Sequence, residues 1–302
     1  MALKTVQVVI AGVTTTLTLN STTGKYEGTV TAPTKSSYNQ SGHYYDVTVK
    51  ATDQAGNVTS KNSSDGTLGG NLKLTVKEKN APTQTLTYPT AGAYIINNKP
   101  TIKWKVTDDD SGVNPDTIGI TIDSGSKITS GITKTAITGG YDCSYTPTTA
   151  LGDGSHTIKV DASDYDGNAA AQKSVTFKID TVPPTLNISA PSQGLITNKA
   201  ACTVSGTTND ATSSPVKVTI KLNSGAAEAV TVSDNGSFTK ALTLVEGTNT
   251  ITVVATDSAG KQTTVTRTVT LDTKAPSITA VSMTPNPVDA GKTVTIAVTV
   301  TD

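Results

Sequence analysis

Alternation of apolar and polar positions is the dominant pattern along this chain. Val47, Val49 and Ala51 share one phase, as do Ile158, Val160 and Ala162, and Ile251, Val253 and Ala255. A period of two puts each set on one face of a strand, so three half-buried strands are predicted with that face on a core. Each strand runs into an aspartate (Asp53, Asp164, Asp257) and then a glycine (Gly56, Gly167, Gly260). Aspartate can hydrogen-bond a turn backbone and glycine takes positive φ at no steric cost, so a turn is predicted. A further run follows each turn: Leu72, Leu74, Val76; Val175, Phe177, Ile179; and Val265, Val269, Leu271. Each unit is therefore expected to end in a hairpin. Ile102, Trp104 and Val106 alternate with Lys103 and Lys105. Trp104 is expected in a core, with lysines on the outer face discouraging edge-to-edge association.

A second repeat marks where units begin. Pro82, Pro89 and Gly92 match Pro184, Pro191 and Gly194; after a short gap Ile96, Asn98 and Lys99 match Ile196, Asn198 and Lys199. Ile102 and Trp104 then fall on Cys202 and Val204. A third start, Ala275-Pro276, follows Lys274. Junctions are placed near Asn80, Thr181 and Lys274. Proline there lacks an N–H and fixes φ, which suits an edge strand and stiffens a link. The expected organisation is three β-domains, residues 1–80, 81–181 and 182–274, with 275–302 as the first strands of an incomplete fourth. The fold class expected is all-β, tandem antiparallel sandwiches in an elongated rod.

Composition supports this. Threonine occurs 59 times, glutamate four times and arginine once, as Arg267. β-Branched residues favour strands, and several good helix formers are scarce. Lys plus Arg and Asp plus Glu are 24 each. That balance gives no electrostatic drive towards nucleic acid or an anionic membrane. No apolar run is long enough to insert into a bilayer. The first residues lack a signal-peptide pattern, so synthesis and folding in the cytoplasm are expected unless an export signal has been removed. Cys143 and Cys202 each sit in an alternating run. They read as buried thiols, the alternative being a disulfide between them; neither has a histidine at metal-ligand spacing.

Candidate chemistry is sparse. His156 aligns with Asn249 just before a predicted strand, which suits a turn or cap better than a catalytic base, and His43 lies in a loop. Consecutive Asp108, Asp109 and Asp110 splay at a strand end and make a poor acid–base pair. Asp108 with Asp110, and Asp164 with Asp166, place oxygens at alternate positions near a glycine turn, the kind of loop calcium favours. Asp180, at the second junction, could join them. Structural Ca²⁺ and simple turn-capping aspartates are both open readings, and no other cofactor is expected.

The stretches ATDQAGN, ASDYDGN and ATDSAG, the linkers DTVPP and DTKAP, and the run KPTIKWKVTDDDSGVNPDTI resemble tandem bacterial immunoglobulin-like repeats. The resemblance implies a non-enzymatic structural or adhesive protein that projects a binding surface. Such repeats occur in virion proteins, in surface adhesins and as accessory domains of polysaccharide enzymes. The chain is similar to Ig-like proteins among prophage tail genes, which implies tail-associated display on a bacterial virus. The alternatives are a cell-surface adhesin or spacer and a carbohydrate-binding accessory module of a larger enzyme. Expected partners are other virion or cell-surface proteins, or surface glycans. Tyr44 with Tyr45, and Tyr141 with Tyr145, are the aromatic candidates for sugar contact.

Overall fold

The computed structural model describes residues 3–302. It is nearly all β: strands joined by turns, with three short 3₁₀ turns at Ser37–Asn39, Ser41–His43 and Gly69–Leu72. No helix among the described residues is long and apolar enough to cross a membrane. The chain divides into two compact units, residues 1–93 with 97–179, and residues 94–96 with 180–302.

The first unit opens with a sheet in the order Lys25–Glu27, Val13–Asn20, Leu3–Ile10, Tyr45–Asp53, Val58–Lys61, with Lys73–Leu74 also on Tyr45–Asp53. Val6, Val8 and Ile10 alternate with more exposed neighbours and are its buried residues, as a period of two requires. Here the structure departs from the expected hairpin partner. The turn after Asp53 leads straight into Val58–Lys61, while Leu72 belongs to a 3₁₀ turn. Glycine explains that turn: a Cβ on Gly69 would stand 2.4 Å from the Ser63 carbonyl oxygen.

The rest of this unit is a two-sheet sandwich. One sheet runs Thr133–Ile137, Gly140–Tyr145, Ile102–Thr107, Thr83–Tyr88; the other contains Val113–Ile122, Gly154–Asp164 and Lys173–Ile179. Inward residues of both close the core. Ile102, Trp104, Val106, Ile118, Ile120, Ile158, Val160 and Phe177 are all at most 1% exposed. Trp104 is thus a core residue, with Cys143 as its cross-strand partner.

The second unit repeats the sandwich. Thr185–Ala190, Ala201–Asn209 and Ser237–Thr243 form one sheet. Leu195–Thr197, Gln262–Leu271, Gly247–Thr256, Lys217–Leu222 and Glu228–Val230 form the other. Val204 and Phe238 from the first meet Val218, Ile251, Val253 and Val269 from the second, and Cys202 packs on the margin of that core. Both cysteines are free thiols. A final hairpin pairs Ser277–Thr284 with Thr295–Thr301. The architecture is all-β, with tandem Ig-like sandwiches.

Candidate metal centres

The turn foreseen after each long strand is built the same way three times. Asp53, Asp164 and Asp257 each accept, through Oδ1, the backbone amide of Asn57, Asn168 and Lys261, at 2.9, 2.8 and 2.8 Å. Gly56, Gly167 and Gly260 take φ of 90°, 93° and 88°, which a side chain would resist. In two of the three copies the aspartate is also brought against two other acids.

The first cluster is Glu78, Asp108 and Asp164. One carboxylate oxygen from each lies within 4.8 Å of the other two, and all three residues are buried. Asp108 is fixed by its own loop, where Oδ1 accepts the amides of Asp110 and Gly112 at 3.0 and 2.8 Å. Asp164 also accepts the side-chain amide of Asn168 at 2.7 Å. Glu78 Oε1 accepts the amide of Ser111 at 2.6 Å. Its Oε2 and the Ser111 hydroxyl are buried with no hydrogen-bond partner. Burial pushes the Glu78 carboxyl above its ordinary range, against the pull of the Ser111 amide it accepts, and the charges of Asp108 and Asp110 raise it further.

The second cluster is Asp180, Asp210 and Asp257, again within 4.8 Å and again buried. Asp210 Oδ1 accepts the amides of Thr212 and Ser213 at 2.8 and 2.7 Å. The Ser213 hydroxyl reaches Asp180 Oδ2 and Asp210 Oδ1. Asp257 Oδ2 is buried without a partner. Strand pairing, Thr83 with Thr107 and Thr185 with Asn209, sets Glu78 and Asp108 at one offset from Asp180 and Asp210, and the shared turn equates Asp164 with Asp257. The clusters are therefore two copies of one arrangement.

Asp108, Asp164 and Asp180 are thus in clusters. Asp110 and Asp166 lie outside them and do a different job. Both Asp110 carboxylate oxygens accept the amide of Ser36, at 3.1 and 3.0 Å, and Asp166 Oδ2 accepts the amide of Glu78 at 2.9 Å. Asp110 and Asp166 lie past the strand ends, in bend and turn backbone where the period of two no longer holds, so each points away from the acid two residues before it. Around them Asn168 donates to the Glu78 carbonyl, and the Tyr38 ring stacks between Tyr165 at 4.0 Å and His43 at 4.2 Å. These contacts join the opening sheet of the first unit to the sandwich that follows it.

Glu78, Asp210 and Asp257 lie outside the pattern of paired aspartates alternating near a glycine turn. A signal for two of them existed. Glu78 aligns with Asp180 and Asp257 with Asp164 through the repeats, whereas the gap that sets Trp104 on Val204 moves Asp210 off Asp108, and only strand pairing restores it.

The other candidates carry no such arrangement. His156 bonds Asp123 and the Gly152 carbonyl, as a corner residue would. Tyr45 donates to the Lys35 carbonyl, the Tyr44 ring carries Lys73 Nζ 4.7 Å from its centre, and Tyr145 is buried.

Comparison with known proteins places the sandwiches. Residues 91–181 match the bacterial Ig-like domain. Residues 184–273 match domain B of glucodextranase. Bacillopeptidase F of Bacillus subtilis (strain 168) is 35% identical over 114 residues, which is 38% of this chain and 7% of that protein. The chain thus spans a small fraction of that relative. Among solved structures, the fibronectin(III)-like modules of Clostridium thermocellum CbhA are 19% identical, with a TM-score of 0.35, over 63% of this chain and 94% of theirs. Titin domains A168–A170 are 14% identical, with a TM-score of 0.41, over 76% of this chain and 73% of theirs.

Proposed function

We propose that the chain is a non-catalytic modular spacer, an accessory part of a larger protein that holds neighbouring elements in a set relation. The observation that carries this reading is the junction within the first unit. There two carboxylates, Asp110 and Asp166, are spent on backbone amides of the preceding segment, at Ser36 and Glu78. Charge-assisted bonds to backbone fix orientation. A spacer needs a fixed orientation at its joints, and the stacked Tyr38 and Tyr165 rings add to it. The similarities to glucodextranase domain B and Bacillopeptidase F, both named as enzymes, support an enzyme as the larger protein. Display on a bacterial virion draws no support from these similarities. Contacts with glycans or other proteins would fall to the loops at the sandwich ends.

The test is a D110A/D166A double variant. Cleavage by a protease within residues 75–82 is expected to rise severalfold, and ¹⁵N relaxation to show the opening sheet tumbling more freely. Unchanged cleavage and relaxation would remove the spacer reading, and measurable turnover of an α-glucan or a peptide by the purified chain would remove the non-catalytic one.

A further inference from the structure

We propose that Glu78, Asp108 and Asp164, and Asp180, Asp210 and Asp257, are two copies of one calcium site. The inference does not depend on the spacer reading. Each cluster crowds three buried carboxylates into a sphere where their mutual repulsion is poorly screened. The ion pairs among the described residues, Lys61–Asp65, Lys105–Asp142, His156–Asp123 and Lys240–Glu228, leave all six acids out.

The orphaned oxygens point to what belongs there. Buried polar atoms are normally paired, and each unpaired one calls for an explanation. Glu78 is 8% exposed and Asp257 5%, and each holds one carboxylate oxygen with no hydrogen-bond donor. Both residues are cluster members, one in each copy. Ser111, 1% exposed, adds an unpartnered hydroxyl beside Glu78 in the first copy. The other four carboxylates, Asp108, Asp164, Asp180 and Asp210, accept backbone or side-chain donors, so the loops hold the acids in place around the two unpaired oxygens.

The donor set selects the ion. All donors are oxygen, with neither histidine nor cysteine in either cluster, which disfavours zinc. Calcium takes six to eight oxygens in flexible geometry, and three carboxylates supplemented by a serine hydroxyl, carbonyls or water suit it. Magnesium demands tighter octahedral order and dehydrates reluctantly, so weaker binding is expected. The repetition adds weight: the linker acid changes from Glu78 to Asp180 and the flanking sequence diverges, yet three carboxylates converge both times. The copies share the acid cluster, and each holds an unpaired oxygen, on the linker acid Glu78 in the first and on the turn acid Asp257 in the second.

The experiment is calorimetric titration of the EDTA-stripped, dialysed full chain with calcium chloride and with magnesium chloride, alongside thermal melts. The expected result is two calcium ions per chain, at least tenfold weaker binding of magnesium, and a melting temperature raised by roughly 5–10 °C at saturating calcium. E78Q and D257N should each bind one ion. In EDTA they should melt at or above the wild type, because repulsion is relieved; in calcium they should melt below it. D109N, outside both clusters, should still bind two. No heat and no melting shift in the wild type at millimolar calcium would overturn the proposal without recourse to any variant. So would two ions retained in both E78Q and D257N. Loss of stability by these variants equally in EDTA and in calcium would mark the acids as turn caps and overturn it too.

Discussion

His156 Nδ1 stands 2.9 Å from Asp123 Oδ2, while its Nε2 faces the Gly152 carbonyl at 2.8 Å. A neutral imidazole has only one N–H, so the protonated ring alone donates to both acceptors. Burial pulls the imidazolium down, but the Gly152 carbonyl and the Asp123 carboxylate together outweigh it and raise the group above its ordinary value of 6.5. The second unit solves the same corner without charge. Asn223 replaces Asp123, Asn249 replaces His156, and the two amides bond each other at 3.2 Å. Asp123 and Asn223 both take positive φ, 54° and 51°, and both accept the amide of the strand they face, Thr157 or Thr250.

The pH consequence has a definite sign. A group whose folded pKa is raised stabilises fully below its unfolded value, and that contribution disappears as pH rises through the folded one. D123N/H156N, which copies the neutral corner, is expected to lack this dependence. Urea unfolding of both proteins should show the wild-type advantage largest below about pH 6 and shrinking towards pH 8. A gap that widened with pH would contradict the assignment.

Glycine at 206 is demanded by packing alone. A Cβ there would stand 2.3 Å from the Asn187 carbonyl oxygen and 2.7 Å from the Phe238 ring. Gly206→Ala is expected to cost about 1–3 kcal/mol through forced displacement of backbone and ring. Gly152, whose Cβ would meet nothing within 4 Å, serves as the control and should be nearly silent. Urea midpoints read both; equal effects at the two sites would mean the sheet around Gly206 yields more easily than this spacing implies.

Cys143 should be chemically quiet in the folded protein. It is 3% exposed and opposite Trp104. Burial, and less strongly the charge of Asp142, push its thiol up to about 11 against the pull of Lys134. The thiolate is the nucleophile, so at pH 8 a disulfide reagent should label Cys202 first and Cys143 only on unfolding. Mass spectrometry of the labelled peptides decides; rapid native labelling of Cys143 would show that its strand opens locally.

Much of this was legible in the chain. Val160 and Val253 lie on buried faces because strand period and core burial coincide there. Trp104 could be assigned inward from its flanking lysines. Asp53, Asp164 and Asp257 shape the turns that their spacing to glycine implied. Three-dimensional convergence was harder to read. Nothing local to Glu78 separates it from a solvated linker acid, since its partners lie in the loops at Asp108 and Asp164. Asp110 and Asp166 look equivalent to their neighbours in sequence, and only loop direction sends them to Ser36 and Glu78. The opening sheet eluded the pattern for a related reason: apolar Leu72 and Leu74 fit a strand locally, but backbone closure at Gly69 converts the first into a 3₁₀ turn.

The acid that precedes each linker proline gives the chain a kind of grammar. Glu78 before Pro82 and Asp180 before Pro184 answer to aspartates supplied further along, and Asp272 before Pro276 stands in the same position relative to Asp302. Each of the two clusters lies wholly within one compact unit, the linker acid included. Removing the linker acid together with its proline would therefore unmake the cluster of the unit it opens or runs through, while the other copy kept all three of its carboxylates.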